Sequence, residues 1–199
     1  MDDSMPHRAE RQLAYSLPNL LTYGRIVAVP ALIACYFLKA DLSNWLSLGV
    51  FTAASITDFF DGYLARIWSQ QSAIGRMLDP IADKLLVAAA LLLLVGNGVI
   101  HGWLLWAAVI IMSREILVSG LREYLAEVEV SVPVTRIAKW KTAMQMVAIG
   151  VLLSVPAGEK VIPGITLLGY GLLWLSALLT IYTGYDYLRA GIAHVMGEK

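Results

Sequence analysis

Four aspartates carry the chemistry open to this sequence. Asp58 and Asp61 lie three residues apart, and Asp79 and Asp83 four apart. The first pair opens the run Asp58-Phe-Phe-Asp61-Gly62-Tyr-Leu-Ala65-Arg66; after eight residues comes Gly75-Arg-Met-Leu-Asp79-Pro-Ile-Ala-Asp83. Residues three or four apart on a helix share a face, so each pair projects from one side of its helix. The short loop between the runs makes the two helices antiparallel neighbours, and their facing ends bring the four carboxylates together. Like charges gathered in this way repel unless something neutralises them. Protonation does so in a proton relay. Divalent cations do so more completely, because carboxylate oxygens are hard ligands suited to Mg²⁺, Mn²⁺ or Ca²⁺. Two metals shared by four carboxylates keep coordination positions open for phosphate oxygens. Gly62, Ala65 and Gly75 permit close approach of a bulky ligand or a neighbouring helix. Pro80 suits a first helical turn, which places Asp79 near the N-cap.

The elements that must position these groups are apolar. Of the 199 residues 58% are hydrophobic and only 15% charged, and the mean hydropathy is +0.68. That excess has to face something other than water, and lipid is the simplest candidate. The net charge is zero, which gives no bulk basicity to attract nucleic acid. The single cysteine, Cys35, has no partner for an internal disulfide and reads as a small buried hydrophobe. Apolar stretches recur at about 20–38, 45–64, 80–95, 102–121, 137–155 and 165–187, each near the length that crosses a hydrocarbon core. Lipid offers no partner to an open backbone, so each must be helical. The expected fold is therefore an all-α membrane protein of six transmembrane helices spanning 18–190. An N-terminal segment, 1–17, precedes them and a tail, 191–199, follows. Leu13, Tyr15 and Leu17 beside Arg8 and Arg11 suit a short helix lying on the membrane surface. Asp41-Leu42-Ser43-Asn44, Gly96-Asn97-Gly98 and the stretch from Pro156 to Gly164 read as turns. Thirteen lysines and arginines fall on or near the side of the termini, against Lys39 and Lys160 opposite, which puts both termini in the cytoplasm. Trp45, Trp103 and Trp106 then lie at the outer interface, and Tyr182, Tyr185 and Tyr187 read as an aromatic belt at the inner one. Gly164, Gly169, Gly171 and Gly184 suggest close helix packing.

The aspartate string reads D-x2-D-G-x2-A-R-x8-G-x3-D-x3-D and, from Asp58 to Asp83, resembles without a gap the signature of the CDP-alcohol phosphotransferase family. The resemblance implies that family's six-helix membrane fold, a homodimer and a metal-dependent transferase acting on a CDP-linked lipid. It implies that Asp58, Asp61, Asp79 and Asp83 bind two divalent cations, Mg²⁺ or Mn²⁺, at the cytoplasmic membrane boundary, with Asp83 also the general base. Gly62, Ala65, Arg66 and Gly75 would line the cytidine and phosphate pocket. Asn19, Thr22 and Arg25 match an N-x2-T-x2-R pattern that abuts the nucleotide in relatives, although Asn19 after Pro18 also suits a helix cap. A bacterial cytoplasmic membrane is the expected home.

The second substrate is read from the next two stretches. Arg114 and Arg122, in Ser113-Arg114-Glu115-Ile-Leu-Val-Ser-Gly120-Leu121-Arg122-Glu123, are eight residues apart, about two helical turns, and can share a face. Arg136, Lys139 and Lys141 follow across a short loop. Fixed cations beside a metal site suit an acceptor that carries its own phosphate, such as glycerol 3-phosphate, with Arg114, Arg122, Lys139 and Lys141 its binding residues. These two stretches also resemble the members of the family that use that acceptor. The positive-inside rule accounts for the charge of Arg122, Arg136, Lys139 and Lys141 without a ligand. Arg114 lies inside an apolar run and has to be paired or functional. Inositol phosphate and phosphatidylglycerol are the alternative acceptors, and a small cation or proton transporter the alternative class. Against the transporter, the aspartates flank a cytoplasmic loop, whereas transporter sites lie near the bilayer midplane.

Overall fold

In a computed structural model the described residues are 17–68, 73–128 and 136–195. They form six α-helices: α1 (Leu17–Cys35), α2 (Ala40–Trp68), α3 (Ala73–Gly96), α4 (Leu104–Glu127), α5 (Arg136–Leu153) and α6 (Ile165–Val195). A 3₁₀ turn, Gly158–Lys160, lies between α5 and α6, and no strand occurs among the described residues. The surface helix expected before residue 17 lies outside them.

Each helix overlaps one of the six apolar stretches without sharing both its limits: α1 and α5 end before their stretches do, and α4 begins after its own. α2 and α3 run well past their stretches, α3 beginning at Ala73 rather than at Pro80. Hydropathy marks where a helix can meet hydrocarbon, whereas backbone hydrogen bonding continues into polar residues as long as nothing interrupts it. Two expectations are corrected as a result. Asp79 is not a cap, because it and Pro80 lie inside α3. Asp41 to Asn44 are not a turn but the start of α2, whose Ser43 amide donates to the Lys39 carbonyl at 2.8 Å. The turn falls earlier, at 36–39, and Asp41 sits in the first helical turn, where a carboxylate complements the helix dipole.

The chain divides into two compact units, Met1–Leu93 and Leu94–Lys199, the boundary falling within α3. In the first, α1 packs on α2. In the second, α6 packs on both α4 and α5. Glycine sets how closely. A Cβ at Gly169 would meet Leu152 Cδ2 at 2.6 Å, so here the backbone of α6 lies directly against α5. Gly184 faces Arg114 and Gly191 faces Leu121. Both pairs keep the same sequence offset, so α4 and α6 run parallel. Gly171 has nothing near it, and Gly164 adopts φ +89° in the turn before α6, so neither is the packing glycine that the sequence suggested.

The core is apolar, with Leu32, Phe51, Leu86, Ile111 and Ile149 all but inaccessible, yet polar side chains share the interior and large apolar ones cover the outside. Arg25, Lys141, Gln145, Ser176, Thr180 and Thr183 are buried, while Phe37 (80% exposed), Leu92 (71%) and Leu167 (77%) face outward. An apolar exterior around polar helix contacts suits an apolar surrounding. Among the described residues two helices are long and apolar enough to cross a membrane, Leu104–Glu127 and the Ile165–Arg189 part of α6. Trp45, Trp103 and Trp106 are exposed, as interface residues would be, and Cys35 is buried and free.

Candidate active site and family

α1 presents Asn19, Thr22 and Arg25 to the interior at successive turns, each no more than 3% exposed. A guanidinium buried in this way needs counter-charge. It finds two carboxylates: Arg25 Nη1 lies 2.7 Å from Asp58 Oδ1 of α2 and donates to Asp79 Oδ1 of α3 at 3.0 Å. One nitrogen thus ties three helices together. It also gathers one aspartate from each half of the signature, as the antiparallel arrangement of the two runs requires. Asp83 lies a turn beyond Asp79 on α3 and is partly buried, and Gly75 is buried near the start of that helix. Asp61, Gly62, Ala65 and Arg66 lie on the last turns of α2, where only the backbone is described. Arg25 therefore meets the proposed metal ligands, a partnership that the N-x2-T-x2-R pattern alone did not disclose.

Among the described residues no three His, Cys, Asp or Glu side chains are close enough together to hold a metal ion. The Asp61 side chain is not among them. In chemistry the donor set fits: Asp58 and Asp79 are convergent hard oxygen donors, without the nitrogen or sulfur that would favour a softer ion. In this structure Arg25 supplies the positive charge that the carboxylates require.

The second unit assembles a different group. On α4, Arg114 Nη2 donates to Thr183 Oγ1 of α6 at 3.1 Å, and Arg114 Cζ lies 6.0 Å from the centroid of the Tyr187 ring. Glu115 pairs with Lys141 of α5 through Oε1, while its Oε2 is 3.6 Å from Arg114 Nη1. Lys141 is 2% exposed, so its charge is compensated by Glu115 and not by solvent. Of the four expected phosphate-binding cations, then, Arg114 and Lys141 come together about Glu115. Arg122 and Lys139 are exposed on α4 and α5. The side chain of Arg136 is outside the described set. Tyr187 corrects the aromatic-belt reading: it is 5% exposed and lies under Arg114, whereas Tyr182 and Tyr185 do face outward. The sequence signal for Thr183 and Tyr187 was their spacing of four residues, one face of a helix, on the same stretch as Gly184.

An all-helical chain that carries this aspartate signature on α2 and α3 is matched by the model of the CDP-alcohol phosphatidyltransferase family over residues 15–182. The chain belongs to that family. Among its relatives is a protein of Rickettsia bellii, 45% identical over 175 residues that cover 88% of this chain and 94% of the relative. One from Pseudomonas fluorescens is 42% identical over 188 residues, 90% and 92% of the two chains. One from Cereibacter sphaeroides is 37% identical over 93% of this chain and 99% of its own. All three are named CDP-diacylglycerol–glycerol-3-phosphate 3-phosphatidyltransferase.

Proposed function

We infer that this protein transfers the phosphatidyl group of CDP-diacylglycerol to sn-glycerol 3-phosphate, giving phosphatidylglycerophosphate and CMP. The observation that carries the reading is Arg25 drawing Asp58 and Asp79 together from separate helices. The names of the relatives supply the two substrates.

In the reaction a hydroxyl oxygen of glycerol 3-phosphate attacks the lipid-bearing phosphorus, a new P–O bond forms, and the phosphoanhydride bond breaks with its electron pair leaving on CMP. Asp58, Asp61, Asp79 and Asp83 are the residues that would hold two divalent cations, Mg²⁺ or Mn²⁺. When bound, these offset charge on both phosphates and stabilise the leaving oxygen. Asp83 accepts the proton of the attacking hydroxyl as the bond forms. Asn19, Thr22, Gly62, Ala65, Arg66 and Gly75 form the CDP-lipid site, and Arg25 joins that site to the carboxylates. Arg114, Arg122 and Lys139 meet the acceptor phosphate, and Lys141 supports them by holding Glu115. Six spans with both termini in the cytoplasm of a bacterium, and a homodimer, complete the proposal. The lysine and arginine asymmetry supports this orientation, because it places the carboxylates where lipid and aqueous substrates meet.

The test is to incubate the purified protein with CDP-diacylglycerol, divalent metal and one acceptor at a time: glycerol 3-phosphate, inositol phosphate or phosphatidylglycerol. Phosphatidylglycerophosphate from the first alone is expected. A product from either of the others alone would replace the acceptor and keep the chemistry.

A further inference from the structure

Arg114 is held in place by three neighbours on one face of α6. Gly184 lets it in: a Cβ there would stand 3.1 Å from Arg114 Cγ and 3.5 Å from Nε, so any larger residue would push the arginine stem aside. Thr183 fixes the head. Its hydroxyl donates to the Leu179 carbonyl at 2.9 Å, which turns an oxygen lone pair toward the guanidinium, and Arg114 Nη2 donates to it at 3.1 Å. Tyr187, buried one turn further on, offers its ring to the guanidinium carbon at 6.0 Å, within reach of a cation–π contact. Among the described residues Glu115 is the carboxylate paired with Arg114, and it is shared with Lys141. Glu115 gives Oε1 to Lys141 and leaves Oε2 at 3.6 Å, beyond a good hydrogen bond. A guanidinium has five N–H donors in a fixed fork. Here its neutral partners on α6 orient it without cancelling its charge, which suits a residue reserved for a phosphate.

We propose that Thr183, Gly184 and Tyr187 form a cradle that presents Arg114 to the phosphate of the acceptor, so that Thr183 and Tyr187 are positioning residues setting acceptor affinity. This rests on the reading in which Arg114 meets that phosphate.

The experiment measures kcat and both KM values for the full-length protein in mixed micelles, for the wild type and for Thr183→Val, Thr183→Ser, Gly184→Ala, Tyr187→Leu and Arg114→Gln. Loss of one hydrogen bond to a charged group raises KM for glycerol 3-phosphate by about ten- to 150-fold in Thr183→Val. KM for CDP-diacylglycerol stays unchanged, and Thr183→Ser restores the wild-type value. Gly184→Ala, which keeps both neighbours but displaces the stem, moves the same KM and serves where Thr183→Val does not fold. Equal changes in both KM values, or no recovery with serine, would make the contact merely structural and overturn the proposal. If Arg114→Gln leaves KM for glycerol 3-phosphate unaltered, the acceptor reading itself fails. If Arg114→Gln raises it while Thr183→Val and Gly184→Ala do not, that reading stands and the cradle falls.

Discussion

Arg25 makes the carboxylate cluster tenable, and it does so at 1% exposure, where a lost partner is costly. Removing one member of a buried charge group costs about 3–5 kcal/mol. Arg25→Met is therefore expected to lower stability by about 3 kcal/mol, because Asp58 and Asp79 lose the cation they share. Added Mg²⁺ should recover more of that loss than it adds to the wild type, since the vacated carboxylates gain a substitute charge. Thermal unfolding with and without metal checks this, and an equal Mg²⁺ shift in both proteins would count against a metal site at these aspartates. The types and spacing of the site were legible at this scale: the aspartates, Asn19, Thr22, Arg25 and Arg114 all declare themselves by polarity at set intervals in apolar sequence. Their partners were not legible. Arg25 and Asp79 are 54 residues apart, and Arg114 and Thr183 are 69 apart. Only packing decides that the cation on α1 meets carboxylates while the one on α4 meets a hydroxyl and a ring.

At the scale of elements the turn between α5 and α6 has a clasp of its own. Glu159 Oε1 accepts from the Gly164 amide at 2.6 Å, and Oε2 accepts from the Thr166 hydroxyl at 2.5 Å and the Thr166 amide at 2.9 Å. The Thr166 hydroxyl, then the two amides, hold the Glu159 carboxyl below its ordinary value of 4.5. A lowered folded value means that the clasp is fully present above the ordinary value and is lost as pH falls through the lowered one. The wild type should thus unfold at a higher temperature than Glu159→Gln near neutrality, with the gap closing below about pH 4.5. A gap independent of pH would contradict the ionised clasp. Where the helices pack, Gly169→Val should cost about 1–3 kcal/mol by driving Leu152 away, as measured by chemical or thermal unfolding. That all six elements are helices was readable from apolar length; their ends were not. Hydropathy stops at Pro80 and Trp45, whereas the backbone ladder reaches back to Ala73 and Ala40.

For the whole molecule the many large apolar side chains that face outward predict a protein that needs lipid or detergent in order to stay dispersed. Its orientation is open to labelling, because Cys35 is the sole cysteine and is buried. In a Cys35→Ser background, an impermeant thiol reagent added to intact cells should reach Trp103→Cys but not Lys199→Cys. The reverse pattern would invert the proposed topology and move the aspartates to the outer face. The unit structure had no counterpart in the sequence, because the boundary falls inside the continuous apolar helix α3. The central claim concerns the reaction, and the most direct measurement is CMP release from CDP-diacylglycerol by the purified protein. Release should require both glycerol 3-phosphate and Mg²⁺ or Mn²⁺, and Asp83→Asn should abolish it while leaving the protein folded. Release that persists in chelator, or in Asp83→Asn, would contradict a metal-dependent transfer centred on these aspartates.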